Sequence, residues 1–234
     1  MGMLQKQLAK SGIEVREEQV IRLQEYMRLV LERNGSVNLT SITDEEEFIQ
    51  KHYIDSLSCA RRPEFQTAKK IIDVGTGAGF PGVPLAICFP DKKFTLIDSL
   101  RKRTRIVEEF CGQLQIGNVR VMHGRAEELA RQDLREQFDL CVSRAVANLS
   151  TLCELCLPFV RKGGWFISYK GPSGEEEAIR AERAIGLLGG RLKEIDRIDP
   201  EEGMSGHQLI IIKKTSLTNQ KYPRRPGLPG KEPL

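Results

Sequence analysis

The sequence predicts an α/β protein: a largely parallel sheet with helices on both faces, behind a helical N-terminal extension. Three observations carry that expectation. From residue 69 onward, short apolar runs alternate strictly with helical patterns, the signature of a parallel sheet wound by crossover helices. Ahead of residue 69 only helical spacing is found. The first apolar run also leads directly into a glycine-rich loop, "DVGTGAGFPG" at 73–82, which opens another helical pattern.

In the extension, "EEQVIRLQEYMRLVLERN" has apolar residues at Val20, Ile21, Leu23, Met27, Val30 and Leu31, and Asn34-Gly35 stops the helix. A second helix is expected from Thr43, read as an N-cap with Glu46 three residues on, through Phe48 and Ile54 to about Ala60. The strands follow as "KKIIDVG", "KKFTLIDS", "NVRVMHG", "FDLCVSRA" and "GGWFISYKG". The helices between and after them are "PGVPLAICFP", "RKRTRIVEEFCGQL", "AEELARQDL", "LSTLCELCLPFV" and "GEEEAIRAERAIGLLG". "RLKEIDRID" and "HQLIIIKK" close the sheet as a hairpin, which makes seven strands. The division is an N-terminal helical region at 1–65, a sheet domain at 66–214 and a basic Pro/Gly-rich tail at 215–234, expected to be extended rather than core.

Composition narrows the class. Of the 234 residues 40% are hydrophobic and 29% charged, which is globular composition. No run of about 18 apolar residues is present, so no membrane span is expected, and the N-terminus lacks the apolar stretch of a secretory signal. Six cysteines lie scattered in apolar stretches, and the one CxxC, Cys153 and Cys156, falls on the apolar face of a predicted helix. These read as small buried hydrophobes in a reducing compartment. Three dispersed histidines give no metal site, and His123 and His207 read as structural. Net charge is +4, concentrated at Arg101, Lys102, Arg103 and Arg105 and in the tail, where six cations from Lys213 to Lys231 face Glu232 alone. Such clusters suit phosphates.

The glycine loop sits where open α/β sheets bind ligands, at the carboxyl end of the first strand. "GAGFPG" from Gly77 matches a dinucleotide fingerprint, a weak signal by itself. From Asp73 the stretch reads acid-x-Gly-x-Gly-x-Gly, and it resembles the first motif of S-adenosylmethionine-dependent methyltransferases of the seven-stranded, Rossmann-like class. A carboxylate suits an ammonium and a sulfonium better than a pyrophosphate. The closing hairpin also fits that sheet better than a dehydrogenase's sixth parallel strand. Asp98, ending "FTLIDS", stands where either ligand class would place its ribose acid.

"VNLTSI", "HYIDSL", "DVGTGAGFPGVPLAI", "FTLIDSLRKR", "RAEE", "VSRAVANL" and "YKG" together resemble, in order and spacing, the ribosomal small-subunit methyltransferase G family, formerly glucose-inhibited division protein B. The resemblance runs from about Glu18 to the tail. It implies a cytoplasmic, monomeric enzyme that uses S-adenosyl-L-methionine to methylate N7 of a guanosine in 16S rRNA, on free RNA or the small ribosomal subunit, near the decoding centre, without metal or membrane. It also implies site residues. Asp73, Gly75, Gly77, Gly79 and Phe80 are expected at the cofactor's glycine loop, Asp98 at its ribose, Ala126 and Glu127 at its adenine, and Arg144 beside cofactor and target base. Lys170, His52 and Asn38 are expected to line the cleft. Guanine N7 carries a lone pair and no proton, so no general base is required. The alternatives are a small-molecule methyltransferase, an NAD-dependent oxidoreductase and a non-catalytic RNA-binding module.

Overall fold

The computed structural model describes residues 2–144, 146–198 and 206–234. Ala145 and Asp199, the last residues of two predicted strands, lie outside these. The strands are β1 (Lys70–Val74), β2 (Lys93–Asp98), β3 (Val119–His123), β4 (Phe138–Arg144), β5 (Val160–Lys170), β6 (Gly190–Arg197) and β7 (Gln208–Lys214). They form one sheet in the order β3-β2-β1-β4-β5-β7-β6. The first five run parallel, and β7 pairs antiparallel with both β5 and β6, as the hairpin reading requires.

The helices are α1 (Met3–Lys10), α2 (Glu17–Asn34), α3 (Glu45–Phe48), α4 (Asp55–Ser58), α5 (Pro63–Thr67), α6 (Gly82–Cys88), α7 (Arg101–Gln113), α8 (Ala126–Leu129), α9 (Leu149–Cys156), α10 (Gly174–Arg180), α11 (Glu182–Leu187) and α12 (Leu228–Lys231). A π-helical segment, Ile49–Ile54, joins α3 to α4, so the predicted second helix is a continuous helical run with a widened middle. Its cap is Asp44, one residue beyond the expected Thr43, because the Asp44 carboxylate accepts the Glu47 N–H. The pattern "AEELARQDL" is helical only to Leu129. "LSTLCELCLPFV" leaves α-helix at Cys156, and Pro158 sits in a short 3-10 turn before β5 begins at Val160.

Alternate residues of each strand feed two cores. Ile71, Leu96, Val142 and Ile167 join a core shared with Leu8, Leu23, Tyr26, Phe48 and Tyr53 of the helical region. Ile72, Val74, Cys141 and Phe166 join the other, with Leu152, Cys153 and Cys156 of α9. All six cysteines are free, five of them buried.

The segment 215–234 departs from the expected extended tail. Tyr222 and Pro229 are buried, and Arg224 grips Glu154 of α9 with a bidentate pair, Nη2 to Oε2 2.7 Å and Nε to Oε1 2.9 Å. Arg131 donates to the Pro223 carbonyl and Arg135 to that of Tyr222. Arg224 is thus committed within the chain; Lys221, Arg225 and Lys231 remain exposed.

Candidate cofactor cavity and cleft

Sheet order reverses between β1 and β4, and crevices for ligands open at such points. The loop after β1 reaches its shape through Gly75, Gly77 and Gly79, with φ of 77, 60 and 92°, values that favour glycine. A Cβ on Gly75 would stand 2.4 Å from Val146 Cγ2, and one on Gly79 2.1 Å from the Tyr26 hydroxyl. At Gly77 nothing lies within 4 Å of that position, so the loop backbone is open to a ligand there.

Asp73 ties this loop from behind. Its Oδ2 accepts from the Thr76 hydroxyl at 2.7 Å and from the Gly82 N–H at 2.9 Å. Its Oδ1 has no partner. Burial, only partly offset by those two bonds, pushes the carboxyl up to about 7. Asp73, expected against the cofactor, is wholly buried and stands behind the cavity wall, where it holds the loop that lines it.

The cavity, about 260 Å³, is lined by Gly75, Asp98, Leu100, Ala126, Glu127 and Val146, with Ser99, Arg103, Arg125 and Leu155 among the rest of its wall. Asp98 Oδ2 accepts from the Gly77 N–H at 2.9 Å and Oδ1 from the Leu100 N–H at 2.8 Å. Glu127 Oε1 accepts from the Gly227 N–H at 2.8 Å. A carboxylate oxygen has room for a second donor, so both acids can still receive hydroxyl or amino hydrogens. Leu100 and Val146 are 52% and 41% exposed at the mouth, an apolar surface an aromatic ring would cover. An open glycine backbone, two acids with spare acceptor capacity and an apolar mouth fit the adenosyl portion of S-adenosylmethionine.

A second cavity, about 320 Å³, is lined by Lys51, His52, Asp55, Arg144, Tyr169, Lys170, Gly171 and His207. Arg144, ending β4, reaches across to the π-helical segment. Its Nη1 donates to the Lys51 carbonyl and to Asp55 Oδ2, both at 2.7 Å, and its Nη2 to His52 Nδ1 at 3.0 Å. Arginine only donates, so His52 Nδ1 accepts and its proton sits on Nε2, 2.8 Å from Thr40 Oγ1. The imidazole stacks on Phe80, rings 4.4 Å apart and 8° from parallel, and the guanidinium lies 5.3 Å over the same ring. Burial, then the Arg144 charge, depresses His52 to about 3, so it is neutral. Burial alone would raise Asp55, but His207 and Arg144 more than offset it and hold the carboxyl below its usual range. His207 Nδ1 lies 3.2 Å from Asp55 Oδ1. Lys170 Nζ donates to the Ala147 carbonyl at 2.6 Å and to Glu177 at 2.8 Å.

Of the predicted residues, Gly75, Asp98, Ala126 and Glu127 line the first cavity, with Gly77 beside it. Arg144, Lys170 and His52 line the second, and Phe80 lies beneath it rather than against the cofactor cavity. Gly79 faces inward onto Tyr26. Asn38 is exposed and lines neither cavity; Thr40, two residues on, is the one that reaches His52. Sequence reasoning passed over Thr40 and Asp55 and read His207 as structural; Thr40 bonds His52, and Asp55 and His207 line the second cavity. Asp55 carried a signal, as an acid between the apolar positions of "YIDSL", where a buried charge needs a partner.

Among the described residues no helix is long and apolar enough to cross a membrane, and no group of three His, Cys, Asp or Glu residues could hold a metal ion.

A family model described as rRNA small subunit methyltransferase G matches residues 19–203. A protein of that name from Clostridium novyi is 47% identical over 211 residues, covering 90% of this chain and 87% of its own. Another, from Clostridium beijerinckii, is 45% identical over 233 residues, covering 99% and 98%. Among solved structures, an O-methyltransferase from Bacillus cereus in complex with SAH aligns with a TM-score of 0.58 at 16% identity, covering 81% of this chain and 91% of that one. A ribosomal protein L11 methylase from Lactobacillus delbrueckii subsp. bulgaricus aligns at 0.53 and 15%, covering 71% and 79%. At those identities the likeness concerns the fold.

Proposed function

The chain belongs to the rRNA small subunit methyltransferase G family, and on that premise we propose that it transfers the methyl group of S-adenosylmethionine to N7 of a guanosine in 16S rRNA, near the decoding centre, as a cytoplasmic monomer. One observation carries the reading at the level of the site. Arg144, the last residue of β4, lines the second cavity, and Val146, two residues on, lines the first, so a donor held in one would stand near an acceptor held in the other.

The bound cofactor supplies an electrophilic methyl carbon on a sulfonium. For their part, the chain's residues hold and align. Asp98 and Glu127 accept hydrogens from the adenosyl half, and the Gly75–Gly79 loop gives it backbone to lie against. Asp73 fixes that loop. Because N7 has no proton to lose, alignment rather than proton transfer dominates. Arg144 acts through its neighbours: with three N–H groups spent on Lys51, Asp55 and His52, it fixes the acceptor wall. The neutral His52 adds no positive charge beside a base that becomes cationic. Lys170 keeps the Ala147 carbonyl against α10 through Glu177.

RNA contacts suit the start of α7. Arg101, Lys102 and Arg105 are exposed there and line a groove with Arg33, which is itself paired to Glu109. Cations in a first helical turn oppose the helix dipole, a cost that phosphate binding would offset.

The test uses tritiated S-adenosylmethionine with small subunits from cells lacking this protein, beside deproteinised 16S rRNA. Label recovered as 7-methylguanosine is expected. No label in either, with cofactor binding intact by calorimetry, would redirect the reading to a small-molecule or protein acceptor.

A further inference from the structure

The segment after β7 ends its path against the cofactor cavity. Gly227 donates its N–H to Glu127, a wall residue on α8. Three residues earlier, Arg224 closes its bidentate pair on Glu154, which is wholly buried on α9. Glu154 adjoins Leu155, another residue of the cavity wall. Two residues after Gly227, the Pro229 carbonyl accepts from the Thr151 hydroxyl, again on α9. Between them these contacts add a second link between α8 and α9, which also pack on one core directly.

We infer that residues 218–229 are a positioning strap for the cofactor cavity, which sets the Glu127 carboxylate through the Gly227 amide and is itself locked by Arg224 on Glu154. The inference rests on the reading that Glu127 receives the cofactor. Its physical basis is pre-organisation. A carboxylate already oriented by a backbone N–H spends less freedom when a ligand arrives. The strap also explains how a basic Pro/Gly-rich sequence becomes ordered: the guanidinium fork and the backbone N–H of Arg224 together satisfy a wholly buried carboxylate. Arg224 and Gly227 touch no cavity space themselves, so they are positioning rather than catalytic residues.

The test is calorimetry with S-adenosylhomocysteine on the full chain and on Arg224→Ala, Glu127→Ala and the double variant, with steady-state kinetics alongside. Arg224→Ala is expected to weaken S-adenosylhomocysteine about tenfold. It should raise KM for S-adenosylmethionine in step, leaving kcat and KM for RNA within about twofold of the parent. The double variant should bind no worse than Glu127→Ala, because both changes act through one carboxylate. Arg224→Lys should recover part of the loss, and amide exchange over 124–130 should quicken in Arg224→Ala. If Arg224→Ala does not fold, Gly227→Ala keeps the ion pair and should weaken binding in the same sense. Lowered thermal stability with unchanged affinity, or full additivity in the double variant, would overturn the strap's role. Failure of the unaltered chain to bind S-adenosylhomocysteine at all would instead overturn the cofactor reading beneath it.

Discussion

His52 lies under Arg144 and is depressed to about 3, first by burial and then by that charge, against about 6.5 in an unfolded chain. Between those values the unfolded chain takes a proton that the native one refuses, so this residue's contribution falls as pH drops from about 6.5 toward 3. Asp73 acts in the opposite sense. Its carboxyl is raised by burial to about 7, against about 3.9 unfolded, so its contribution is complete in acid and is lost as pH rises from about 4 through 7. Each slope is at most about 1.4 kcal/mol per pH unit, and between about 4 and 6.5 they oppose. Relative to the parent, His52→Gln should therefore lose stability with rising pH over that window, and Asp73→Asn should gain it. Urea midpoints at a series of pH values read both. Parallel profiles for the two variants would refute the assignment. Neither shift was legible in the sequence, because each arises from packing against residues far along the chain: His52 meets Arg144 at a separation of 92.

The strand–loop–helix element from β1 to α6 was the most legible part of the molecule. Its glycines announced a close backbone approach, and the structure divides that role among them. Gly79 makes room for Tyr26, Gly75 for Val146, and Gly77 leaves open space. Gly79→Ala would press a methyl to 2.1 Å from the Tyr26 hydroxyl and 2.7 Å from Val83, at a φ that already disfavours it. A loss of about 3 kcal/mol or more is expected from strain and overpacking together. Gly77→Ala meets no atom and should cost only about 1–2 kcal/mol, from its positive φ. Equal urea midpoints for the two variants would contradict this division. What the sequence could not supply at this scale was the strap. Its partners lie 70 and 100 residues away, and its composition reads as solvent-exposed. The one available hint was Glu154, an acid inside the apolar run "LCELC".

Across the whole molecule, the boundary drawn near residue 65 marks a change of pattern more than a change of core. Leu8, Leu23, Tyr26 and Tyr53 belong to the same buried cluster as Ile71, Leu96 and Ile167 of the sheet, and the Tyr169 hydroxyl donates to the Ser56 carbonyl at 2.7 Å. Residues of the second cavity come from both sides of the boundary: Lys51, His52 and Asp55 before it, Arg144 and Lys170 after it. The full chain should then unfold in one calorimetric transition, and a chain starting at residue 66 should fail to fold, with one face of its sheet stripped. Two separable transitions, or a stable truncated chain, would establish independent units.

The bond between Gly227 and Glu127 spans 100 residues of sequence. At a synthesis rate of about 5–20 residues per second, Glu127 is made roughly 5–20 s before the amide that orients it. For that interval a growing chain holds the cavity's glycine loop and its acids but not the segment behind them, so on the inference drawn above tight cofactor capture would follow the synthesis of the strap.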